Sequence, residues 1–285
     1  MRYLVHRPGQ PLSGLVDHLW FLSDAPSHAR ERILPSATVE LVFNLAESDG
    51  RRYEAPGRPG SYHMIPWAVV SGCYSTPFEI DTRTHAAIMG VHFRPGGAAA
   101  FLGAPPGEIA DTHVALEAMW GRGTNELQER LCGAADPREG FRVLEEALRG
   151  RLVRGRRERD AVKHARFALD QPGAEVGQLA RDIGLSRRRL IEIFTADVGM
   201  TPKRYARVRR FQRALALAEA SPSPRWAGLA FECGYYDQAH LCREWAELTG
   251  VSPSEFVSLR RRPVKENHLA LPEGEAPRRP RRALG

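Results

Sequence analysis

The sequence contains no apolar run approaching the ~18 residues that a membrane-spanning helix requires. Its opening, Met1 to Pro8, lacks the apolar stretch of a secretory signal. Both absences lead to the expectation of a cytoplasmic protein that does not engage a membrane. Cysteine is scarce: Cys73, Cys132, Cys233 and Cys242 are scattered, with no Cys-x-x-Cys pair. That spacing argues against a zinc knuckle and against a disulfide framework, so reduced thiols and no cofactor are expected. Also missing are a His-x-His followed by Glu, a Gly-rich phosphate loop before a helix and a nucleophile elbow. The chain is therefore not expected to be an enzyme.

The net charge of +7 is unevenly spread over the 285 residues. Residues 1–155 hold 16 Lys and Arg against 18 Asp and Glu, residues 156–262 hold 20 against 13, and the remainder hold 5 against 3. A basic block behind a near-neutral one suits a polyanionic partner, because each neutralised phosphate releases condensed counterions. A solvated basic surface would have the same composition. The length suggests two domains.

A repeat distinguishes the two. Leu190, Phe194, Gly199, Pro202 and Tyr205 recur, 51 residues on, as Leu241, Trp245, Gly250, Pro253 and Phe256. Each set is preceded by Ala-x-x-x-Gly, as Ala180 to Gly184 and Ala230 to Gly234, and the second copy carries one extra residue in its turn. Each copy reads as two short helices joined by a tight turn. Leu179, Ala180 and Ile183 are apolar on the first helix, and Leu190, Ile193 and Phe194 on the next. Gly184 and Gly234 suit a chain that leaves a helix at positive φ, Ser186 and Asp237 suit N-caps, and Gly199 and Gly250 suit helix ends. Residues 202–219, strong helix formers after an N-terminal proline, predict one connecting helix of roughly 27 Å. This is the helix-turn-helix plan, with double-stranded DNA as the partner and two recognition helices about one DNA turn, roughly 34 Å, apart.

Over residues 160–258 the chain resembles the AraC/XylS family of transcription regulators. The segment Leu229 to Phe256 is similar to that family's second helix-turn-helix signature. The resemblance implies groove-facing roles for Arg188, Ile191 and Glu192 on the first recognition helix, with Arg187 and Arg189 beside them. On the second it implies the same for Gln238, Ala239, His240, Cys242 and Arg243. The chemistry suits these roles: Arg bonds a guanine edge in bidentate fashion, Gln bonds an adenine edge, and Ile meets a thymine methyl. Arginines equally suit phosphate contact, and His240 equally suits a cap. Two residues depart from the family's pattern. Glu192 stands where Arg is usual, placed either to accept from a cytosine or to brace a neighbouring arginine, and Val257 replaces a common basic residue.

Thr38 to Leu45 and Ala86 to Phe93 read as strands among Pro and Gly punctuation, and residues 112–154 carry helical stripes through Leu127, Leu131, Phe141, Leu144, Leu148 and Leu152. These stripes suit packing on the sheet or pairing of two subunits. The runs Ile33 to Asn44 and Gly90 to Gly97 resemble the N-terminal domain of a subset of AraC-like regulators. That implies a cupin-like or similar β fold that binds an effector or mediates dimerisation. Trp20, Phe21, Phe43, Trp67, Tyr74, Phe78 and Phe93 are placed to line a pocket, although aromatics at strand spacing more often fill a core. Arg94 to Gly97 suits either an anion cradle or an ordinary turn.

The fold class expected is α+β. It comprises a β-rich sensor or dimerisation domain over 1–154 with trailing helices, an all-α double helix-turn-helix domain over 155–262, and a disordered tail over 263–285, rich in Pro, Arg and Glu. RNA polymerase, a small-molecule effector and a second copy of the chain are candidate partners. The sequence leaves open activation versus repression. The alternative reading makes the first half a small-molecule enzyme, drawing on His63, His85, His92 and His113, tethered to a DNA-binding module.

Overall fold

The computed structural model describes residues 2–24, 30–45, 50–53, 62–82, 87–152, 159–260 and 267–271. Among the described residues the first half forms ten strands: β1 Arg2–His6, β2 Val16–Ser23, β3 Arg30–Ile33, β4 Glu40–Asn44, β5 Gly50–Tyr53, β6 Tyr62–Ile65, β7 Ala68–Ser71, β8 Phe78–Asp81, β9 Ala87–Phe93 and β10 His113–Ala115. Helices α1 Ala99–Leu102, α2 Leu116–Trp120, α3 Gly123–Cys132 and α4 Pro137–Arg151 follow or interrupt them. The helical half contains α5 Asp160–Leu169, α6 Val176–Asp182, α7 Arg187–Val198, α8 Pro202–Glu219, α9 Trp226–Glu232, α10 Gln238–Thr249 and α11 Pro253–Leu259, and a last strand, β11 His268–Ala270, comes after it.

Two antiparallel sheets result. One has the order β1-β2-β9-β4-β7-β10, and the other the order β11-β3-β8-β5-β6. Alternation along the strands of the larger sheet separates its faces. Leu19, Leu41, Phe43, Met89, Val91 and Phe93 join one buried cluster with α1 to α4, whereas Trp20, Leu22 and Ile88 form a cluster on the opposite side. The stripes of α3 and α4 therefore pack on the sheet. Leu127, Leu131, Phe141, Leu144 and Leu148 are buried, each worth about 1.5–3 kcal/mol of apolar burial. Asp136 caps α4 by accepting from the backbone N–H groups of Arg138 and Glu139 at 2.8 and 2.9 Å.

The structure corrects two expectations. The segment from Thr112 opens with a strand rather than a helix, because Val114 and its neighbours extend the ladder of β7 at the sheet edge. The expected structureless tail contains β11, which pairs antiparallel with β3. Leu269 and Ala270 are buried there, and His268 shares a hydrogen bond with Glu31 at 2.6 Å. Burial of three consecutive apolar residues and a polar pair offsets the cost of ordering so short a strand. The rest of the tail lies outside the described residues, as does His85.

Arg94 donates to the Ser13 carbonyl at 3.0 Å and pairs with Asp17 at 3.1 Å, and a Cβ on Gly97 would lie 2.0 Å from the Leu15 carbonyl oxygen. The run Arg94 to Gly97 is thus a strand-to-helix turn whose glycine permits close backbone approach. No group of three or more metal-binding side chains clusters among the described residues, and no helix there is long and apolar enough to cross a membrane.

Candidate nucleic-acid interface

In the first unit α6 places Leu179 and Ala180 in the core, and Gly184 turns the chain at φ 69°. Ser186 then accepts a hydrogen bond from the Arg189 N–H at 3.1 Å and starts α7. Leu190, Ile193, Phe194 and Val198 point inward, while Arg187, Arg188 and Glu192 are exposed and Ile191 is half-buried. Gly199 closes α7 at φ 102°.

The second unit repeats this plan. Leu229 and Ala230 are buried on α9, Gly234 turns at φ 78°, and Asp237 caps α10 by accepting from the His240 N–H at 2.6 Å. Leu241, Glu244, Trp245 and Leu248 face inward, and Gln238, Ala239 and Arg243 are exposed with Cys242 half-buried. At the 51-residue offset Arg187, Arg188, Ile191 and Glu192 correspond to Gln238, Ala239, Cys242 and Arg243. Positions i, i+1, i+4 and i+5 lie on one helix face, so each unit presents a matching outward stripe.

His240 stands apart from that stripe. Its Nδ1 accepts from the Tyr236 N–H at 3.3 Å, its ring packs edge-on against Tyr235, and its Nε2 lies 3.9 Å from Glu244. These contacts hold the turn before α10. Glu192 is held by Arg188 at 3.1 Å and Arg189 at 3.4 Å. Those hydrogen bonds, Arg188's first and then Arg189's, pull its pKa below the usual carboxylate range. Of the two roles expected for Glu192, the free protein therefore displays the brace. Arg188 still has 91% of its side chain exposed.

The connecting helix α8 spans Pro202 to Glu219, as the sequence predicts, but many of its arginines are turned inward. Arg207 and Arg210 grip the buried Glu244 at 3.1 and 2.7 Å, Arg209 pairs with Asp170 at 2.7 Å, and Arg213 donates to the Asp170 carbonyl at 2.6 Å. The basic excess of this half thus overstates the charge available to a phosphate backbone. Much of it fastens the two units to α8.

Residues 179–259 match the family model described as a helix-turn-helix domain. The C-terminal domain is a helix-turn-helix domain of the AraC type. Residues 4–115 match a second family, described as a domain of unknown function (DUF6597). An uncharacterized HTH-type transcriptional regulator of Haemophilus influenzae is 34% identical over 90 residues, which are 31% of this chain and 30% of that protein. The chain thus spans under a third of that relative's length.

Among solved structures, the AraC-type domain is similar to a probable AraC family transcriptional regulator from Rhodopseudomonas palustris. That match has 26% identity and a TM-score of 0.30, covering 37% of this chain and 100% of the other. The C-terminal domain of AraT, a response regulator from Geobacillus stearothermophilus, matches at 21% identity and a TM-score of 0.34, covering 39% and 92%. Unsaturated fatty acid bound ToxT from Vibrio cholerae matches over 90% of this chain and 97% of its own at 9% identity and a TM-score of 0.45.

The AraC-type domain is fastened to the β-rich half at the C-terminal ends of α7 and α10. The thiol of Cys73, just after β7, donates to the Val198 carbonyl at 3.0 Å, and a Cβ on Gly199 would lie 2.8 Å from its sulfur. Arg32 of β3, only 1% exposed, donates to the Thr249 carbonyl at 2.9 Å and pairs with the fully buried Glu79 at 2.7 Å. Gln212 adds a bond to the Pro35 carbonyl at 2.6 Å. Burial, with a smaller contribution from Asp111, pushes the Cys73 thiol up to about 12, so it stays protonated as a donor.

Sequence reasoning missed Arg32, Cys73 and Glu79. The only local signal was a strand, Arg30-Glu-Arg-Ile33, carrying three charges. Of the aromatics nominated for a pocket, Trp20, Trp67, Tyr74 and Phe78 line a cavity between the sheets. Phe43 and Phe93 belong to the helix-covered core, against which Phe21 also packs. Of the histidines, His92 shares a hydrogen bond with Glu40, His113 shares one with Tyr74, and His63 is exposed.

Proposed function

We propose that this chain is a sequence-specific DNA-binding transcription regulator whose N-terminal domain, residues 1–154, answers to an effector and controls the DNA-binding domain, residues 155–262. The observation that carries this reading is the pair of equivalent outward stripes. In it Arg187, Arg188, Ile191 and Glu192 of α7, and Gln238, Ala239, Cys242 and Arg243 of α10, face the major groove. Arg189 serves a phosphate or holds Glu192, and His240 supports the turn. An α8 of roughly 27 Å separates the units by a distance suited to successive major-groove segments of one duplex. The reading assigns no catalytic step, and it places the protein in the cytoplasm, on the nucleoid.

The docking contacts support an effector response. Along β3, Glu31 and Ile33 line the cavity between the sheets, while Arg32 between them reaches Thr249 at the end of α10. After β7, Gly72 and Tyr74 line the cavity, while Cys73 between them reaches Val198 at the end of α7. A molecule in the cavity would press on the same backbone that holds both recognition helices. Phe167, Phe231 and Tyr236, exposed by 72%, 89% and 93%, offer apolar surface on the DNA-binding domain. Such surface suits a protein partner, whether RNA polymerase or a second copy of the chain.

The test is selection from a random duplex library by the purified full chain, then affinity for the selected site at two salt concentrations. The expected result is two short motifs about one helical turn apart, roughly 10 bp, with binding that weakens steeply as salt rises. Sequence-independent binding, or no competition by duplex DNA, would sink the reading.

A further inference from the structure

An exposed ring stands at the start of α10, outside the stripes already described. Tyr236 comes immediately before the cap of that helix and is 93% exposed. The backbone shows it to be the extra residue of the second unit's turn. The Leu185 N–H bonds the Ala180 carbonyl at 2.9 Å and the Tyr235 N–H bonds the Ala230 carbonyl at 2.9 Å, so these two residues are equivalent. Ser186 and Asp237 are the two caps, and Tyr236, between Tyr235 and Asp237, has no counterpart in the first unit.

The turn holds this residue from both sides. Its own N–H donates to Nδ1 of His240 at 3.3 Å. Tyr235 is buried with the Arg210 guanidinium 4.7 Å over its ring, and Asp237 accepts from the His240 N–H at 2.6 Å. A recognition helix enters the major groove by its N-terminal residues. With a diameter of about 10–12 Å it fills a groove about 12 Å wide. A side chain just ahead of its first turn therefore meets the wall of the groove, which is sugar and phosphate, rather than the base edges on its floor. Cations for that wall are scarce in this unit. Arg243 is the single one on the outward stripe of α10, and Arg207 and Arg210 are held by Glu244. A phenol supplies a neutral donor in their place.

We propose that Tyr236 is a DNA contact of the second unit, its phenol hydroxyl donating to a backbone phosphate at the rim of the major groove. The assignment rests on the DNA-binding reading above and deepens it. The contact adds affinity and fixes register without reading sequence, and because its donor is uncharged it releases no counterion. The two units thus hold the duplex by different means, the first through arginines and the second in part through a neutral hydrogen bond supplied by one inserted residue. Tyr236 is thereby set apart from Phe167 and Phe231, which lack a hydroxyl and remain surface for a protein partner.

The experiment titrates the full chain, native and as Tyr236→Phe and Tyr236→Ala, with the selected duplex and with a duplex of scrambled sequence at two salt concentrations. Tyr236→Phe keeps the ring and loses only the hydroxyl, at a site too exposed to threaten the fold. It is expected to weaken binding to both duplexes by about tenfold with an unchanged salt slope, whereas loss of a phosphate-binding arginine reduces that slope by about one. Phosphates of the second half-site are then replaced one at a time by uncharged methylphosphonates. At one position the native chain is expected to lose several-fold more affinity than Tyr236→Phe, because only the native chain has a contact there to lose. Native affinity in Tyr236→Phe, a loss confined to the selected sequence, or equal losses of the two proteins at every phosphate overturns the assignment. A loss in Tyr236→Ala without one in Tyr236→Phe also overturns it, in favour of an apolar contact by the ring. A native chain that binds no duplex removes the DNA-binding reading and the assignment with it, whereas native binding with Tyr236→Phe unchanged removes the assignment alone.

Discussion

Gly250→Ala tests how the DNA-binding domain is held. Gly250 closes α10 at φ 75°, a left-handed conformation that costs an L-residue about 1–2 kcal/mol. A Cβ there would also lie 2.3 Å from Nη1 of Arg32 and 2.9 Å from its Cζ. Arg32 is not free to swing aside, because it is 1% exposed and clamped between Glu79 and the Thr249 carbonyl. Displacing it forfeits a charge-assisted hydrogen bond worth about 1.5–3 kcal/mol. Gly184 is the control, since it sits at φ 69° with nothing within 4 Å of its would-be Cβ.

Gly184→Ala should thus lose only the backbone contribution, and Gly250→Ala about 2.5–5 kcal/mol in all. Urea unfolding followed by hydrogen exchange would report both effects. Gly250→Ala should destabilise the chain more and speed exchange in β3 and in residues 245–256 together, whereas Gly184→Ala should leave β3 protected. Equal losses in the two variants, with β3 protected in both, would refute the argument that Arg32 docks the domain.

Arg188→Ala should weaken binding to the selected duplex by about 1–3 kcal/mol if this side chain reads a base, and a uniform loss across all sequences would assign it to phosphate instead. Glu192→Gln should release Arg188 and Arg189, raising affinity for unselected duplex and steepening its salt dependence; an unchanged salt slope would contradict the brace. Because the Glu192 pKa is depressed in the folded chain, the brace is present above the ordinary glutamate value of about 4.3 and is lost only as pH falls through the lower folded value. Salt slopes for the native chain at pH 7 and pH 5 should therefore agree as far as this pair is concerned. Maleimide labelling at pH 8 should modify the exposed Cys132 rapidly and leave the buried Cys73 unmodified until the chain unfolds. Fast native labelling of Cys73, read by peptide mass spectrometry, would mean that its contact with Val198 opens readily.

The helical half was legible in the sequence because its determinants are local. Leu190 and Phe194, or Leu241 and Trp245, are four residues apart on one helix face, and the caps at Ser186 and Asp237 act within three residues. The docking contacts were not legible. Arg32 meets Thr249 across 217 positions, and Glu31 meets His268 across 237, with no periodicity to mark either pair. Charge counting misled in part, because Arg207, Arg209 and Arg210 are spent on Glu244 and Asp170 inside the domain. Alternation along β2 and β9 put Trp20 and Phe93 on opposite faces of the larger sheet, but which face meets the cavity depends on pairings between strands far apart in sequence.

Strand β11 also settles where the smaller sheet ends. Without it, β3 would present a row of unpaired backbone donors and acceptors, an open template for pairing with a strand from another molecule. With it, the outermost strand is only three residues long, too short to recruit a neighbour readily. The few residues after the DNA-binding domain thus serve as a selvedge, and a chain clipped before His268 would trade a finished border for an adhesive one.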